Sequence, residues 1–339
     1  MATEREAWLT LTKEDPMEPE LTICDPHHHL WDRPDDRYLL EELLQDIGGG
    51  HNVVSTVFVE CRSMYRKDGP QEMQPVGETE FVQGIAARSA SGQYGITTVA
   101  AGIVGFADLT LGAAVVPVLE AHLAASRNRF RGIRYISAWD ATPGITSYRN
   151  PPKGLLLAPE FREGFAYLQK YSLSFDAWLY HPQLTELADL AMAFPDIPII
   201  VDHIGGALGV GPYAGKREEV FQEWKRVITA LATCPNVVVK LGGLGMPLCG
   251  FGWHERATPP NSTELAEAMA PYYLWCIEQF GVDRCMFESN FPVDKQSYSY
   301  TVMWNAFKRI SRDFSVEERA ALFHDTAVKV YRLGSNREE

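Results

Sequence analysis

Three consecutive histidines stand in the segment ICDPHHHLWD, residues 23–32, directly after a short apolar run. The chain has nine histidines in 339 residues, so a third of them lie at this one point. Side chains two residues apart in an extended strand share a face, which places His27 and His29 together and His28 on the other side. Two imidazoles on one face can chelate a single divalent ion. The alternative is that both are hydrogen-bonded polar side chains of the core.

Other titratable side chains stand where later apolar runs end. Glu60 ends VFVE, His181 follows WLY, and Asp202 with His203 follows IIV. Each of these alone is more often a satisfied polar residue than a ligand or a catalytic group. Gathered at one rim of a sheet, however, they would form the cluster of titratable groups that is typical of an active site.

Short apolar runs alternate with longer amphipathic segments throughout the chain after residue 20. Strands are predicted at 21–25, 53–60, 98–106, 130–137, 173–180, 197–205, 236–243 and 284–291. Helices are predicted between them, for example at 111–126, 158–170, 182–194, 216–232 and 263–279, with Ser262 or Thr263 capping the last. The strands are almost continuously apolar, as in sheets that are buried on both faces. The pattern therefore predicts an α/β fold, a (β/α)8 TIM barrel.

A doubly wound open sheet is the competing architecture. It should carry a glycine-rich turn after its first strand, and DPHHHLWD contains no glycine. Residues 1–20 are predicted to form an N-terminal extension, and residues 21–339 a single barrel domain. Two long connections, 138–157 and 244–262, both follow strands, so in a barrel both lie at the C-terminal face, where active sites are built.

The composition argues against several classes of partner. The formal net charge is −13 and no basic run occurs, which argues against nucleic acid and anionic membranes. No apolar stretch approaches the ~20 residues of a membrane span, and the acidic N-terminus has no signal-peptide pattern. The six cysteines are scattered and form no CxxC pair, which predicts reduced thiols in a cytoplasmic protein.

Six motifs follow one another along the chain. They are D-x-H-x-H-x-W at 25–31, HPQL at 181–184, DHIGG at 202–206, K-x-x-G at 240–243, MFESNFP at 286–292 and DTAVKVYRL at 325–333. In this order they resemble the amidohydrolase superfamily, in its branch of TIM-barrel hydrolases related to sugar lactonases and 2-pyrone-4,6-dicarboxylate lactonase. The resemblance spans the chain from residue 21. It implies a hydrolase that opens a lactone or related cyclic ester of a small molecule, and it leaves the particular substrate undetermined.

The sequence departs from this family at the end of the eighth strand. The family has an aspartate there as general base, whereas this chain has Asn290, whose amide cannot accept a proton near neutral pH. Glu288 stands where the family has glycine and is predicted to share a strand face with Asn290. We predict that Glu288 replaces the aspartate as base or as a metal ligand. The alternative is an ion pair with Lys240, and Asp294 is a further candidate base, although its place in FPVDK favours a surface loop.

A divalent ion is predicted at the strand ends, with His27, His29 and His203 as ligands and Glu60 as a further one. Zinc is the expected ion, and manganese or iron are alternatives. Some members of the family that resemble this chain work without metal, so metal-independent catalysis stays open. The predicted catalytic residues are Glu288, Asn290, His181 and His203.

Substrate contacts are predicted from arginines and from the aromatic residues of the loops. The family places a strand-4 arginine on substrate carboxylates, and Arg134 in RGIRYI matches it. A guanidinium fork suits a carboxylate, and aromatic loops suit a flat, partly apolar substrate such as one derived from an aromatic compound. The other predicted substrate-binding residues are Arg62, Tyr65, Tyr148, Trp253 and His254.

Three functions stay open from the sequence. The first is a lactone hydrolase, the second a lyase or decarboxylase of the same superfamily, and the third a non-catalytic barrel in which Asn290 marks lost activity. Polar groups at five strand ends disfavour the third, because burying them without use is costly. By analogy with relatives, a homo-oligomer is possible.

Overall fold

The structure is a computed structural model and describes residues 4–145 and 147–334. Within these ranges, eight parallel strands form one sheet in chain order. The strands are β1 (Thr22–His28), β2 (Asn52–Val59), β3 (Thr98–Gly105), β4 (Phe130–Ile136), β5 (Ser174–Trp178), β6 (Ile199–Val201), β7 (Val237–Leu241) and β8 (Cys285–Phe287). A separate antiparallel hairpin pairs Trp31–Arg33 with Asp36–Tyr38. The architecture confirms the predicted (β/α)8 barrel.

The ring of strands closes between β1 and the segment that follows β8. The backbone N–H of Asn290 donates to the carbonyl of His27 at 2.9 Å, and the N–H of His29 donates to the carbonyl of Phe291 at 2.8 Å. The seam of the barrel therefore runs directly beside the histidines, at the C-terminal ends of both strands.

Helices surround the sheet and pack their apolar sides against it. They are α1 (Glu4–Leu9), α2 (Leu40–Ile47), α3 (Val76–Ala90), α4 (Val116–Ala125), α5 (Pro159–Lys170), α6 (Leu184–Ala193), α7 (Arg217–Ala232), α8 (Ser262–Phe280), α9 (Tyr300–Ile310), α10 (Val316–Ala320) and α11 (Thr326–Val330). In the described part of the chain, none of these helices has the length and apolarity that a membrane span requires.

The cap of α8 differs from the prediction. Asn261, and neither Ser262 nor Thr263, is the N-cap, because its side-chain oxygen accepts from the backbone N–H groups of Thr263 and Glu264. The Glu264 carboxylate in turn accepts from the N–H of Asn261 at 2.9 Å. This reciprocal pair is a capping box, and it begins the helix one residue earlier than the apolar pattern suggests.

Six of the eight strands are shorter than predicted, and the two shortest, β6 and β8, both end at the site. β6 ends at Val201 because His203 and Ile204 adopt left-handed conformations, with φ of 54° and 52°. β8 ends at Phe287, and Asn290 has φ of 54°. At these two strand ends the left-handed residues interrupt the extended backbone and the alternation of side chains. The prediction that Glu288 and Asn290 share a strand face is therefore wrong, and their side chains meet different partners.

The C-terminal segment closes the base of the barrel. Tyr331 is fully buried and donates its hydroxyl hydrogen to Asp176 Oδ2 at 2.6 Å. Ala327 and Tyr331 pack against apolar side chains that line the inside of the barrel, including Cys24, Val57 and Ile200. All six cysteines are free and buried. A packed interior of this kind restricts access to the site to the opposite, C-terminal face.

The residues before β1 pack against the outside of the barrel. Trp8 donates its indole N–H to the carbonyl of Arg256 at 2.9 Å, and the Glu14 carboxylate accepts from the N–H of Ser262 at 2.7 Å. The N–H of Met17 donates to the Asn305 side chain at 2.8 Å. The segment thus runs along the N-terminal end of α8 and the side of α9, away from the histidines.

Candidate active site

Side chains from three different strand ends meet at the mouth of the barrel. Ligand-type atoms of His27, His203 and Glu288 all lie within 4.8 Å of one another. Glu288 Oε1 lies 2.6 Å from His203 Nδ1 and accepts from the backbone N–H of His203 at 3.1 Å, while Glu288 Oε2 lies 2.7 Å from His27 Nδ1. The centroids of the two imidazole rings are 4.6 Å apart. The convergence of strands 1, 6 and 8 that the sequence predicts is therefore present.

All three side chains are almost completely buried, which would normally suppress their charge. Burial opposes the ionisation of Glu288, but the facing His203 and His27 outweigh it and lower the pKa of this carboxyl to about 2. Burial lowers the pKa of His203 below its ordinary value. Glu288 is thus a carboxylate across the physiological pH range, and it draws both rings toward itself.

One atom of this cluster has no hydrogen-bond partner among the residues that the structure describes. It is the buried His27 Nε2. A buried polar atom without a partner is costly, so such atoms at a strand end indicate a ligand. Two imidazoles and one carboxylate are the donor set of many catalytic zinc sites. The residues present therefore fit a divalent metal ion.

A second layer of charge lies inside the barrel beneath the cluster. Lys240 is fully buried and its ammonium donates to Asp176 Oδ2 at 2.7 Å and to Asp202 Oδ1 at 2.9 Å. The same nitrogen lies 3.1 Å from His27 Nδ1. Burial opposes the charge of Lys240, but the two aspartates outweigh it and raise its pKa. Lys240 therefore pairs with these aspartates, whereas the sequence suggested Glu288 as its partner.

His29 lies next to the cluster, and His28 lies away from it. The rings of His27 and His29 are 4.9 Å apart between centroids. His29 Nδ1 lies 2.8 Å from the carbonyl oxygen of Val59, so this nitrogen carries the hydrogen and Nε2 keeps its lone pair. Burial lowers the pKa of His29 well below its ordinary value. His28 instead contacts the Thr56 hydroxyl at 2.9 Å on the other side of β1.

Asn290 is held by a carboxyl group that the sequence placed on the surface. Its side-chain amino group donates to Asp294 Oδ1 at 2.8 Å. Asp294 is fully buried, so the predicted surface location is wrong. Burial raises the pKa of Asp294 to about 7, although the hydrogen bonds from Tyr298 and from the backbone N–H of Gly245 act to lower it. The chain reaches this position because a short turn folds back after Pro292.

The structure places Glu60 with arginines and away from His27 and His203. Arg134 Nε donates to Glu60 Oε1 at 2.7 Å, and Arg149 donates to Glu60 Oε2 at 2.6 Å. The hydroxyl of Tyr148 also donates to Oε1, at 3.2 Å. The two guanidinium cations on the oxygens of Glu60 would repel a divalent ion, so this carboxylate is a poor metal ligand. This arrangement does not support the predicted role of Glu60 as a metal ligand. Glu60 instead anchors the two arginines.

A cavity of about 490 Å³ lies beside this arginine pair, on the C-terminal face. The loops after β2, β3 and β4 form it, and its walls include Arg62, Tyr65, Tyr148 and Arg149, three of which the sequence predicted as substrate contacts. The Arg149 guanidinium also stacks on the ring of Phe106, 3.4 Å from its centroid. Basic and aromatic groups therefore line one continuous surface near the mouth of the barrel.

Comparison with known proteins decides the family. A sequence profile described as Amidohydrolase matches residues 24–333. Protein y4mH of Sinorhizobium fredii, described as uncharacterized, is 36% identical over 336 residues, which cover 93% of this chain and 99% of that protein. The chain belongs to the amidohydrolase family. The predicted family and enzyme class are thereby confirmed.

Two further relatives are informative about this amidohydrolase. L-fucono-1,5-lactonase of Burkholderia multivorans is 24% identical over 175 residues, which cover 51% of this chain and 56% of that enzyme. A crystal structure of an amidohydrolase from Burkholderia multivorans with bound zinc superposes with a TM-score of 0.70 at 22% identity, covering 92% of this chain and 99% of that one. The structural likeness shows that the two chains share the barrel fold.

Three predicted residues lie apart from the cluster. His181 Nδ1 accepts from the N–H of Leu208 at 3.3 Å, and its ring packs against Tyr213, 5.3 Å between centroids. Trp253 stacks on Phe251, with the ring centroids 4.4 Å apart. The ring of His254 faces Glu255 at 3.6 Å. In the described part of the chain, none of the three forms a hydrogen bond, an ion pair or a ring contact with His27, His203 or Glu288.

Two residues of the site were not predicted by the sequence reasoning. Asp176 had a usable signal, since a charged residue inside the apolar strand FDAW must find a partner, and Lys240 in VVVKL offers one. Arg149 had none, because it lies in the polar connection 138–157 among residues that are ordinarily solvent-exposed. Only the folded loop shows that it reaches Glu60.

Replacing Glu60 by glutamine is expected to destabilise the protein by about 3–5 kcal/mol, because two guanidinium groups would lose their buried carboxylate. Glu80→Gln is the matched control, since the exposed pair of Glu80 with Arg66 contributes within about 0.5 kcal/mol. Urea unfolding measures both. Burial raises the pKa of Glu60, but Arg134 and Arg149 outweigh it and hold the pKa below the ordinary value. When the pH falls and Glu60 of the wild type binds a proton, the wild type loses the stabilisation from this ion pair. The difference in free energy of unfolding between the wild type and Glu60→Gln should therefore become smaller below about pH 4.

A Glu60→Gln protein that keeps wild-type stability would contradict the anchor role. A Glu60→Gln protein that keeps its stability but loses bound metal would indicate that Glu60 is a metal ligand.

Proposed function

We propose that this amidohydrolase hydrolyses a carboxylated lactone or a related cyclic ester, using a divalent ion, zinc in the first place, held by His27, His203 and Glu288. One observation carries the proposal: these three side chains come from separate strand ends, converge within 4.8 Å, and leave the buried His27 Nε2 without a hydrogen-bond partner among the described residues. A purely structural polar cluster would satisfy its own hydrogen bonds, because unsatisfied groups cost stability.

Opening a lactone requires an activated water, a polarised carbonyl and a proton for the leaving oxygen. A bound divalent ion supplies the first two, since it lowers the pKa of a water ligand to about 7 and polarises the carbonyl. Glu288 orients the rings of His27 and His203 through its two oxygens. The ring of His29 is fixed by Val59 and lies 4.9 Å from that of His27 between centroids, so its Nε2 is a further ligand or an acceptor for the substrate.

The surroundings of Glu60 support a carboxylate on the substrate. Two guanidinium groups, Arg134 and Arg149, share the single charge of Glu60, which leaves one guanidinium charge unmatched in this group. The cavity wall beside it also carries Arg62, Glu72 and Asp108. A guanidinium binds a carboxylate through two parallel hydrogen bonds. Tyr65 and Tyr148 line the same cavity and suit a flat ring. Glu60 directly follows Val59, whose carbonyl oxygen lies 2.8 Å from His29 Nδ1, so the arginine pair and the histidines stand at neighbouring strand ends.

The comparisons support the reaction class. One relative is named for a 1,5-lactonase activity, and a solved structure of the same fold contains zinc. Both likenesses are below 25% identity, so the lactone and the zinc ion belong to the proposal for this chain.

The proposal is tested with the full chain and a panel of esters and acids. L-fucono-1,5-lactone, 2-pyrone-4,6-dicarboxylate, uncarboxylated pyrones and aromatic carboxylic acids are followed with a pH indicator for ring opening and by gas analysis for CO2. We expect ring opening, with kcat/KM at least about tenfold higher for carboxylated lactones because a charged hydrogen bond contributes about 1.5–3 kcal/mol.

Metal dependence is measured on the same protein. Elemental analysis should find about one divalent ion per chain, and a chelator should abolish turnover until zinc or manganese is restored. His27→Ala should lose the ion, whereas His324→Ala, which removes a partly exposed histidine paired with Asp325, should keep it. Release of CO2 without ring opening would assign a decarboxylase. Full turnover in metal-free protein would refute the metal site.

A further inference from the structure

Asp294 is a buried carboxyl group that the proposed reaction does not yet use. It is fully buried and accepts three hydrogen bonds. Its Oδ2 accepts from the Tyr298 hydroxyl at 2.6 Å and from the N–H of Gly245 at 3.0 Å, and its Oδ1 accepts from the Asn290 amino group at 2.8 Å. A Cβ at Gly245 would lie 2.8 Å from Asp294 Cγ, so the glycine permits this close approach. The surroundings therefore hold the carboxyl in one orientation.

The Asp294 carboxyl group determines which end of the Asn290 amide, Nδ2 or Oδ1, forms the hydrogen bond between the two side chains. A carboxylate only accepts hydrogen bonds, so the amide must turn its Nδ2 hydrogens toward Asp294 and its Oδ1 away. When Asp294 binds a proton, Oδ2 can carry it, because the Tyr298 hydroxyl can rotate to accept it. Oδ1 then remains an acceptor for Asn290. Among the residues that the structure describes, none donates a hydrogen bond to Asn290 Oδ1.

We propose that Asp294 is a positioning residue for the reaction: it binds the Asn290 amino group and so leaves Asn290 Oδ1 as a fixed acceptor for the attacking water or a substrate hydroxyl. The inference rests on the proposed function, since it gives Asn290 a part in hydrolysis. Asn290 lies two residues after Glu288, and its backbone N–H closes the barrel against His27. The backbone of Asn290 is thereby held beside His27, at the edge of the cluster.

A second reason for an asparagine at this position is its backbone conformation. Asn290 has φ of 54°, a region that asparagine and glycine adopt more readily than other residues. Asn290→Gly keeps this conformation and removes the amide. The two roles are therefore separable: a backbone role predicts normal turnover for the glycine variant, and an amide role predicts a loss.

Asp294→Asn should reverse the orientation of the Asn290 amide. The new amide oxygen stays with Gly245 and Tyr298, because both are donors there, and the new amino group faces Asn290. Two amino groups cannot pair, so Asn290 turns its oxygen inward and presents a donor to the site. We expect kcat to fall about tenfold or more with KM little changed, since a fixed acceptor for the reacting water acts on the chemical step.

Asn290→Asp should also lower kcat, although it restores the residue type of the family at this position. It would place two carboxyl groups in direct contact, and both could not ionise at that distance. The exchanged pair, Asn290→Asp with Asp294→Asn, makes donor and acceptor complementary again, because the new amide donates to the new carboxylate. We expect the double variant to recover kcat to within about threefold of wild type and to exceed both single variants.

The experiment compares the wild type, the two single variants, the double variant and Asn290→Gly in turnover of the best lactone from the panel. Urea unfolding midpoints of the same proteins form a double-mutant cycle that needs no substrate. Asp313→Asn, an exposed aspartate, is the control for the substitution itself. We expect both single variants to unfold at lower urea than the double variant.

Several results would overturn the inference. A double variant no better than the worse single variant, in unfolding midpoint, would show that the two side chains do not form the inferred pair, whatever the turnover. Wild-type kcat in Asp294→Asn or in Asn290→Gly would show that the amide orientation does not matter. Absence of turnover in every protein, with a coupled unfolding cycle, would instead count against the proposed function and leave the pairing supported.

Discussion

Glu288→Gln is expected to lower turnover by about 10²–10⁴-fold and to weaken metal binding by about 10–100-fold. The carboxylate faces His203 Nδ1 at 2.6 Å and His27 Nδ1 at 2.7 Å, so each oxygen has its own imidazole. A glutamine offers one oxygen and one amino group, and the amino group cannot accept from a ring N–H. One of the two rings would therefore lose its orientation.

The measurement combines steady-state kinetics with elemental analysis of the purified protein. Glu317→Gln is the control, since Glu317 is exposed in α10 and lies far along the chain from the site. Glu288→Asp separates charge from reach, because it keeps the carboxylate on a shorter stem. Wild-type turnover by a folded Glu288→Gln protein would remove this residue from the metal site and from the chemistry.

Lys240→Met is expected to cost about 3–5 kcal/mol in free energy of unfolding. Lys240 is fully buried, and its loss would leave Asp176 and Asp202 inside the barrel without a cation. The remaining hydrogen bond from Tyr331 to Asp176 does not neutralise that charge. The effect is large because low polarity around the strands makes an unpaired carboxylate expensive.

A compensating change makes this prediction specific. Asp176→Asn in the Lys240→Met background removes one of the two unpaired charges, so the double variant should be more stable than Lys240→Met alone. Lys216→Met, at an exposed position before α7, should change the free energy of unfolding by less than about 0.5 kcal/mol. Urea unfolding measures all three. Equal stability of Lys240→Met and wild type would mean that the aspartates are neutral in the native protein.

The sequence alone determined the fold and the general position of the site. Eight apolar runs, each long enough for a strand and separated by helical segments, allow few solutions other than a parallel barrel, because such strands must be buried on both faces. Parallel strands also direct all their C-terminal ends to one face. The histidines at the ends of β1 and β6 therefore had to approach one another, and their rings are 4.6 Å apart.

Only the tertiary structure decided which charged groups pair. The sequence made Glu60 a candidate ligand and Lys240 a partner of Glu288, whereas the structure joins Glu60 to Arg134 and Arg149 and joins Lys240 to two aspartates. The position at a strand end determines where the Cα atom of a residue lies, but it does not determine which group the end of the side chain contacts. A buried charge without a partner is costly, so each buried charged group must be paired. Long flexible side chains can reach more than one such partner.

The turn after β8 shows the same limit most clearly. Alternation along a strand would put residues 288 and 290 on one face. The strand ends at Phe287, however, and with the left-handed backbone at Asn290 the amide of this residue meets Asp294. That conformation depends on hydrogen bonds to β1 from across the closed barrel. Contacts between residues more than 250 positions apart leave no local pattern in the sequence, so the roles of Asn290 and Asp294 emerge only when the ring of strands is complete.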